Sequence, residues 1–455
     1  MTPEHMAAAP SVTMDGTFWA ATVIFVAAYA LIVWEKFHKT IIAVLGAALV
    51  LVIHILPQHD AFHVEEFGID WNVIFLLISM MVIINLMKPT GVFEYIAIKS
   101  AKWGKGEPFR ILVIFSIVTA AASAFLDNVT TVLLITPVTI LIADALEVDA
   151  IPYLISCALS SNIGGTATLI GDPPNIMIAS KAQLTFMDFI YHLTPPILII
   201  MLCYVFAVKL IWGKKLVTRP ELKERIMSMN EQEAIKDPVM LKKSLAVLFI
   251  VILGFVFHGM LHYQPATVAL FGAALLLLLS GTHEPHHVLA EVEWPTIFFF
   301  MGLFIIIGGV VKVGLIKWMS VQVLNFTHGN LFSTSMIVMW FSAFASALID
   351  NIPYVATMNP LVIDMARQLW PNATGVGLLQ HPDLMPIWWS LALGACLGGN
   401  GTAIGASANV IVVGMSEKLG RRISFKRFML YGIPIMVMTV VVATLYVWLR
   451  YYVFS

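Results

Sequence analysis

The sequence predicts an all-α polytopic membrane protein made of two inverted structural repeats, each carrying a re-entrant hairpin and a broken helix. Three observations predict it. Of 455 residues, 59% are hydrophobic and 12% are charged, against about 45–50% and about 25% in soluble domains. Apolar stretches recur along the whole chain at about 20 residues, the length a helix needs to cross a hydrocarbon core of roughly 30 Å. The two halves also echo one another, in order, at a nearly fixed offset. A net charge of −1, with 26 Lys and Arg spread thinly, excludes a nucleic-acid-binding domain. Cys157, Cys203 and Cys396 lie in apolar surroundings and form no disulfide framework. No catalytic residue, metal ligand or cofactor is expected.

Taken in order, apolar segments fall at 17–35, 39–56, 70–88, 109–145, 150–180 and 185–212. After a polar interval they resume at 244–261, 265–280, 294–312, 330–370, 386–418 and 428–450. The first reads as a retained helix, because residues 1–34 hold no Lys or Arg to mark a signal peptide. The division is an N-terminal repeat over 17–212, a cytoplasmic linker over 213–243 and a C-terminal repeat over 244–450. The linker holds eight basic and five acidic residues. Basic loops belong on the cytoplasmic side. Lys36 and Lys39, the basic run through 88–110 and the cluster from Lys418 to Arg427 therefore face inward. The loop 57–70, with Asp60, Glu65, Glu66 and Asp70 and no Lys or Arg, faces outward. That places both termini outside, with about five crossings in each half. The loop 281–293 is placed inside although it lacks Lys and Arg.

The repeat is read residue by residue. Trp71 to Phe75 (WNVIF) matches Trp294 to Phe298 (WPTIF), Gly91 matches Gly314, and Pro137 matches Pro360, each at an offset of 223. The same offset joins Ser123 to Asn128 (SAFLDN) with Ser346 to Asn351 (SALIDN). Gly164 to Asn175 (GGTATLIGDPPN) matches Gly398 to Asn409 (GGNGTAIGASAN) at 234, with extra residues in an exposed loop near 370–386. Five crossings is an odd number, so the second copy enters the membrane from the opposite side. Inverted copies with helices interrupted at matching positions are an architecture of secondary transporters.

Four interruptions carry the chemistry. Segments 109–145 and 330–370 are too long for one ordinary span and place Asp127-Asn128 and Asp350-Asn351 near their middles. Each is either two full crossings joined at the surface or a re-entrant hairpin with its tip in the membrane. The Gly- and Pro-rich blocks are broken helices, since glycine costs about 1 kcal/mol in a helix and proline more. Their freed carbonyls are costly in lipid and are expected to be satisfied by a bound ion and its counter-substrate. Carboxylates at such depth are expensive and tend to be functional. Asp127, Asp172 and Asp350 each coordinate a cation, carry a proton, or cap a helix half. Asp172 has Ala406 as its counterpart, so one half contributes a charge that the other does not. Ser160, Ser161 and Asn162 could add ligands, and Cys396 aligns with Asn162. His54, His258 and His262 read as interfacial. Trp34, Trp318, Trp388, Trp389 and Trp448 read as an aromatic belt.

At these blocks the sequence resembles the ion transporter superfamily of inverted-repeat carriers. The resemblance carried by Phe125 to Pro137 and Asn162 to Asn175 is to the permease branch of the arsenite efflux pumps and the melanosomal P protein, with its citrate-transporter-like domain. It extends over nearly the whole chain and implies a carrier working by alternating access, often as a homodimer, in the inner (plasma) membrane. Carried onto this chain, a first site would involve Asp127, Asn128, Thr130, Gly165, Thr168 and Asn175. A second would involve Asp350, Asn351, Gly399, Asn400, Thr402 and Asn409, and Asn162 and Asp172 of the first half's broken helix are further candidates. The dicarboxylate symporters of this superfamily carry Ser-Asn-Thr at these tips, where this chain carries Asp-Asn. A fixed negative charge at each tip repels a dianion. The leading expectation is proton-coupled efflux of arsenite or antimonite. The alternatives are a sodium/proton antiporter and a sodium-coupled anion symporter, so the coupling ion is H+ or Na+.

Overall fold

The computed structural model describes residues 12–34, 36–64, 66–281 and 284–454. Residues 1–11 and Glu65 of the acidic loop lie outside them. Among the described residues the chain is helical with no strand, and nine helices are long and apolar enough to cross a membrane.

The first half runs α1 (Gly16–Trp34), α2 (Lys39–Val52), α3 (Trp71–Met87), α4 (Val92–Trp103), α5 (Pro108–Phe125), α6 (Asn128–Ala145), α7 (Ile151–Gly165), α8 (Pro173–Ala182), α9 (Phe186–His192) and α10 (Thr194–Trp212). The second runs α11 (Pro238–Leu261), α12 (Pro265–Ser280), α13 (Trp294–Lys312), α14 (Leu315–Thr327), α15 (Leu331–Leu348), α16 (Asn351–Leu369), α17 (Met385–Gly398), α18 (Ser407–Lys418) and α19 (Phe425–Trp448). Helices α3 to α6 each begin 223 residues before α13 to α16, and α7 and α8 begin 234 residues before α17 and α18. The offsets read from single residues are thus offsets between whole helices.

Lipid contact is visible in the side chains. On α10, Leu198, Leu202, Phe206 and Leu210 recur every four residues and are exposed, while Ile200, Tyr204 and Val208 on the opposite face are buried. An apolar stripe one helix face wide, turned outward, is stable only against hydrocarbon. Helix α3 is enclosed instead and packs against α12.

Two sets of helices are distinguishable, and they touch through α13 and α16 and through α3 and α8. One joins α1 and α2 to α13, and α3 to α11 and α12. The other pairs α5 with α7 and α15 with α17, and flanks them with α10 and α19. Within it the halves exchange partners: α18 packs on α6 and α7, and α8 packs on α16 and α17.

Several expectations need correction. Helices α4 and α14 are not among the segments read from hydropathy. Helix α11 starts at Pro238, so Lys242 and Lys243 belong to it and not to the linker. The interval before it is docked on α4: Lys102 Nζ binds Glu231 at 2.6 Å, and the Lys236 amide donates to the Thr90 carbonyl at 3.0 Å. The stretch near 370–386 holds a short helix, Gly375–Leu379, with Leu378 buried. Trp388 and Trp389 are fully buried and not in a belt. His258 is buried rather than interfacial, with Nε2 accepting from the Phe186 amide and Nδ1 facing the Tyr263 carbonyl.

Candidate functional site

Helices α5 and α6 meet at a turn around Leu126 and Asp127, and α15 and α16 meet likewise at Ile349 and Asp350. At each turn the Asp caps the second helix, as an acidic side chain favours at a helix N-terminus. Asp127 accepts from the Thr130 amide at 2.8 Å and from the Thr130 hydroxyl at 2.5 Å. Asp350 accepts from the Ile352 amide at 3.2 Å.

The broken helices leave 166–172 and 399–406 outside α7, α8, α17 and α18. Several of their carbonyls accept from side chains of the protein itself. The Asn175 amide donates to the carbonyls of Gly165, Thr166 and Thr168 at 3.4, 3.1 and 2.9 Å. The Asn409 amide donates to those of Gly399 and Thr402 at 2.8 and 2.9 Å. The Thr168 hydroxyl donates to the Ala124 carbonyl, and that of Thr402 to the Ala347 carbonyl at 2.5 Å, tying each break to its own hairpin.

The two halves meet at the breaks. Asn162 accepts from the Asn128 amide at 3.2 Å and donates to Asn400 and Asn409 of the second half, at 3.0 Å each. Asp172 accepts from the Asn351 amide of the opposite tip at 3.2 Å. The Cys396 thiol lies 3.6 Å from Asn175 Oδ1. Asn128, Asn162, Asp172, Asn175, Asn351, Asn400 and Asn409 are all at most 2% exposed. This is a polar centre inside an apolar chain. Three of its neighbouring atoms are buried with no hydrogen-bond partner: Asn128 Oδ1, Thr131 Oγ1 and Asn400 Nδ2. A buried polar atom without a partner costs about 1–3 kcal/mol, so such a cluster suits a ligand.

Asp127 and Asp350 both line one cavity of about 580 Å³, together with Lys39, Glu293, Thr296 and Ser407. A second cavity, of about 830 Å³, lies toward the other ends of α13, α16 and α8 and is lined by Met177, Lys181, Ala356, Asn359, Asp364 and Arg367, among others. Pro173 and Ile352 line the first cavity, and Met177 and Ala356 the second. Four residues, about 6 Å of helix, therefore separate the two on both α8 and α16.

Sequence reasoning missed Lys39, read there only as a loop charge. Its Nζ lies 2.6 Å from Asp350 Oδ2 and 2.8 Å from Ser407 Oγ. One signal was available: Lys39 is the first residue of α2, where the helix dipole disfavours a cation, so a carboxylate partner is called for. Thr131 and Tyr29 were missed too. The Tyr29 hydroxyl donates to the Pro353 carbonyl at 2.7 Å. Among the described residues no group of three or more His, Cys, Asp or Glu could hold a metal ion.

The citrate transporter family profile matches residues 29–394, most of the chain and all of this site except its residues from Cys396 to Asn409. The chain belongs to the citrate transporter family. A family member of similar length, an "uncharacterized transporter" of Mycobacterium tuberculosis, is 45% identical over 433 residues, covering 95% of this chain and 98% of that one. The human P protein is 33% identical over 504 residues, covering 94% of this chain and 59% of that protein. The YdaH transporter of Alcanivorax borkumensis shares the fold, with a TM-score of 0.60 at 10% identity over 95% of this chain and 97% of that one. This citrate transporter family member is a multi-pass secondary transporter of small solutes, consistent with an inner (plasma) membrane location.

Proposed function

We propose that the chain is a cation-coupled carrier with two inverted repeats, whose coupling site is the Asp127 hairpin tip and the asparagine centre beside it. The halves divide as 17–212 and 238–450 around the interval 213–237, and the hairpins at 109–145 and 330–370 are re-entrant. The observation that carries the reading is the set of unpartnered buried atoms at Asn128, Thr131 and Asn400, next to a carboxylate that lines a cavity. A proton or Na+ at Asp127 changes the charge of that cavity, and so the affinity for the solute beside it. Coupling follows because one cavity cannot favour both charge states equally.

For the solute, the cavity wall sets the class. Asp127, Asp350 and Glu293 face it against one lysine, which is already bound to Asp350. An uncharged hydroxide such as arsenite or antimonite, or a cation, enters without electrostatic penalty. The family name favours a second reading, an organic anion such as citrate, which needs its charge neutralised by cations entering with it. Sodium/proton exchange on the same carboxylates is the third.

The test is uptake into proteoliposomes under an imposed proton or sodium gradient, with arsenite, sodium and citrate offered separately. Gradient-driven flux of one of them, abolished in Asp127→Asn, is expected. Flux that ignores both gradients, or survives Asp127→Asn undiminished, overturns the proposal.

A further inference from the structure

The two hairpin tips are copies in sequence but not in chemistry. Asp350 Oδ2 is held by Lys39 Nζ at 2.6 Å and Ser407 Oγ at 2.7 Å, and the same ammonium lies 5.0 Å from the centre of the Phe299 ring. Asp127 makes no ion pair among the described residues. Its half carries Pro173 where the other has Ser407, and at the offset that joins Gly46 to Gly272 the counterpart of Lys39 is Pro265. The difference continues inward. Thr131 Oγ1 has no partner, while its counterpart Tyr354 pairs with Ser342 at 3.0 Å. The amide of each tip asparagine is engaged, Asn128 with the neutral Asn162 and Asn351 with the carboxylate of Asp172, and Asn128 Oδ1 has no partner.

We infer that the Lys39 ammonium is a tethered cation that fills the coupling site of the second tip, so that the carrier binds a single mobile coupling cation, at Asp127. The inference rests on the proposed coupling role of Asp127. The physical basis is charge balance. A carboxylate at depth requires a counter-charge, and Asp350 obtains it in an ion pair with a lysine fixed to α2, with no free ion to bind. Asp127 has only its helix cap on Thr130, and a carboxylate oxygen suits a hard monovalent cation or a proton. Lys39 sits on the helix set containing α2 and α13, and Asp350 on the other. The tether therefore also spans the boundary between the two.

The experiment counts cations on the full-length purified chain. Radioactive sodium binding and proton uptake by a pH dye are measured on the same detergent-solubilised preparations, checked for folding by size-exclusion profile. Wild type is expected to bind one cation with a Hill coefficient near 1, and Asp127→Asn to bind none. Lys39→Gln opens the second tip and raises the count to two, and the Lys39→Gln/Asp350→Asn double variant restores one. Lys39→Arg keeps the wild-type count. Two cations on the wild-type chain, which needs no variant to fold, overturn the inference. So does a Lys39→Gln count that stays at one. A wild-type count of one that Asp127→Asn leaves unchanged overturns the coupling role of Asp127 instead, and no cation on any variant overturns both.

Discussion

At Asp127 two roles share one side chain: its oxygens cap α6, and its charge faces the cavity. Asparagine separates them, because it caps a helix about as well as aspartate does but carries no charge. Asp127→Asn is therefore expected to change stability by no more than about 0.5 kcal/mol while lowering coupled flux at least about tenfold, roughly 1.4 kcal/mol of lost coupling. Asp127→Ala should lose both, with about 1 kcal/mol of the stability loss coming from the cap. Thermal unfolding in detergent beside proteoliposome flux reads the two effects apart. Equal loss of stability in both variants would mean that the charge serves folding.

At the scale of elements, the breaks hold their shape through one amide each. Asn409→Ala leaves the Gly399 and Thr402 carbonyls without their donor, a cost of about 1–3 kcal/mol per buried group. A lowered unfolding temperature is expected, with Asn409→Asp doing no better because a carboxylate cannot donate. Close helix approach is the second requirement. A Cβ at Gly164 would lie 2.1 Å from the Ala120 carbonyl oxygen, and one at Gly398 would lie 2.5 Å from that of Ala343. Gly164→Ala must push α5 off α7, an overpacking of about 1–3 kcal/mol, and Gly398→Ala should do the same to α15 and α17. Both breaks were legible in the sequence because glycine, proline and asparagine stand there in matching order. The Asp tips were legible because a carboxylate amid apolar residues has few explanations. Lys39 escaped because its partner lies 311 positions away, and local spacing carries no trace of such a pairing. Helices α4 and α14 escaped because they are short and carry charge (VFEYIAIKSAKW in the first), so a hydropathy window passes over them. Trp389 was misplaced because residue type predicts a belt, and only packing shows a buried ring.

Across the whole molecule, the interval between the halves is pinned by charge. The Lys102 ammonium holds Glu231, outside the membrane, below its ordinary value of 4.5. A depressed carboxylate stabilises the docked state above that value, and the contribution fades as pH falls through the lowered one. A spin label at the exposed Ser228 should gain mobility only as pH falls below 4.5, and Lys102→Met should free it at neutral pH. Unchanged mobility in Lys102→Met would show that backbone contacts such as Lys236 to Thr90 suffice.

The two cavities make the strongest demand on the whole fold. They lie toward opposite ends of α13 and α16 with about a helical turn between them, the arrangement alternating access needs: a solute site reachable from one side while a thin layer closes the other. The smaller cavity lies beside Lys39 and α18, near the basic stretches assigned to the cytoplasm, and the larger beside Asp70 and Arg367, near the acidic loop assigned outside. Ile404 lines the first and Ile363 the second, and both are partly accessible. In a background with Cys203 replaced by serine, a membrane-impermeant thiol reagent should modify Ile404→Cys from the cytoplasmic face and Ile363→Cys from the outer face. The background labelling is low because Cys157 and Cys396 are buried. Modification of both from one face would put the cavities on the same side of the bilayer. The alternating-access reading of the two cavities would then fail with it, because a carried solute must reach them from opposite faces.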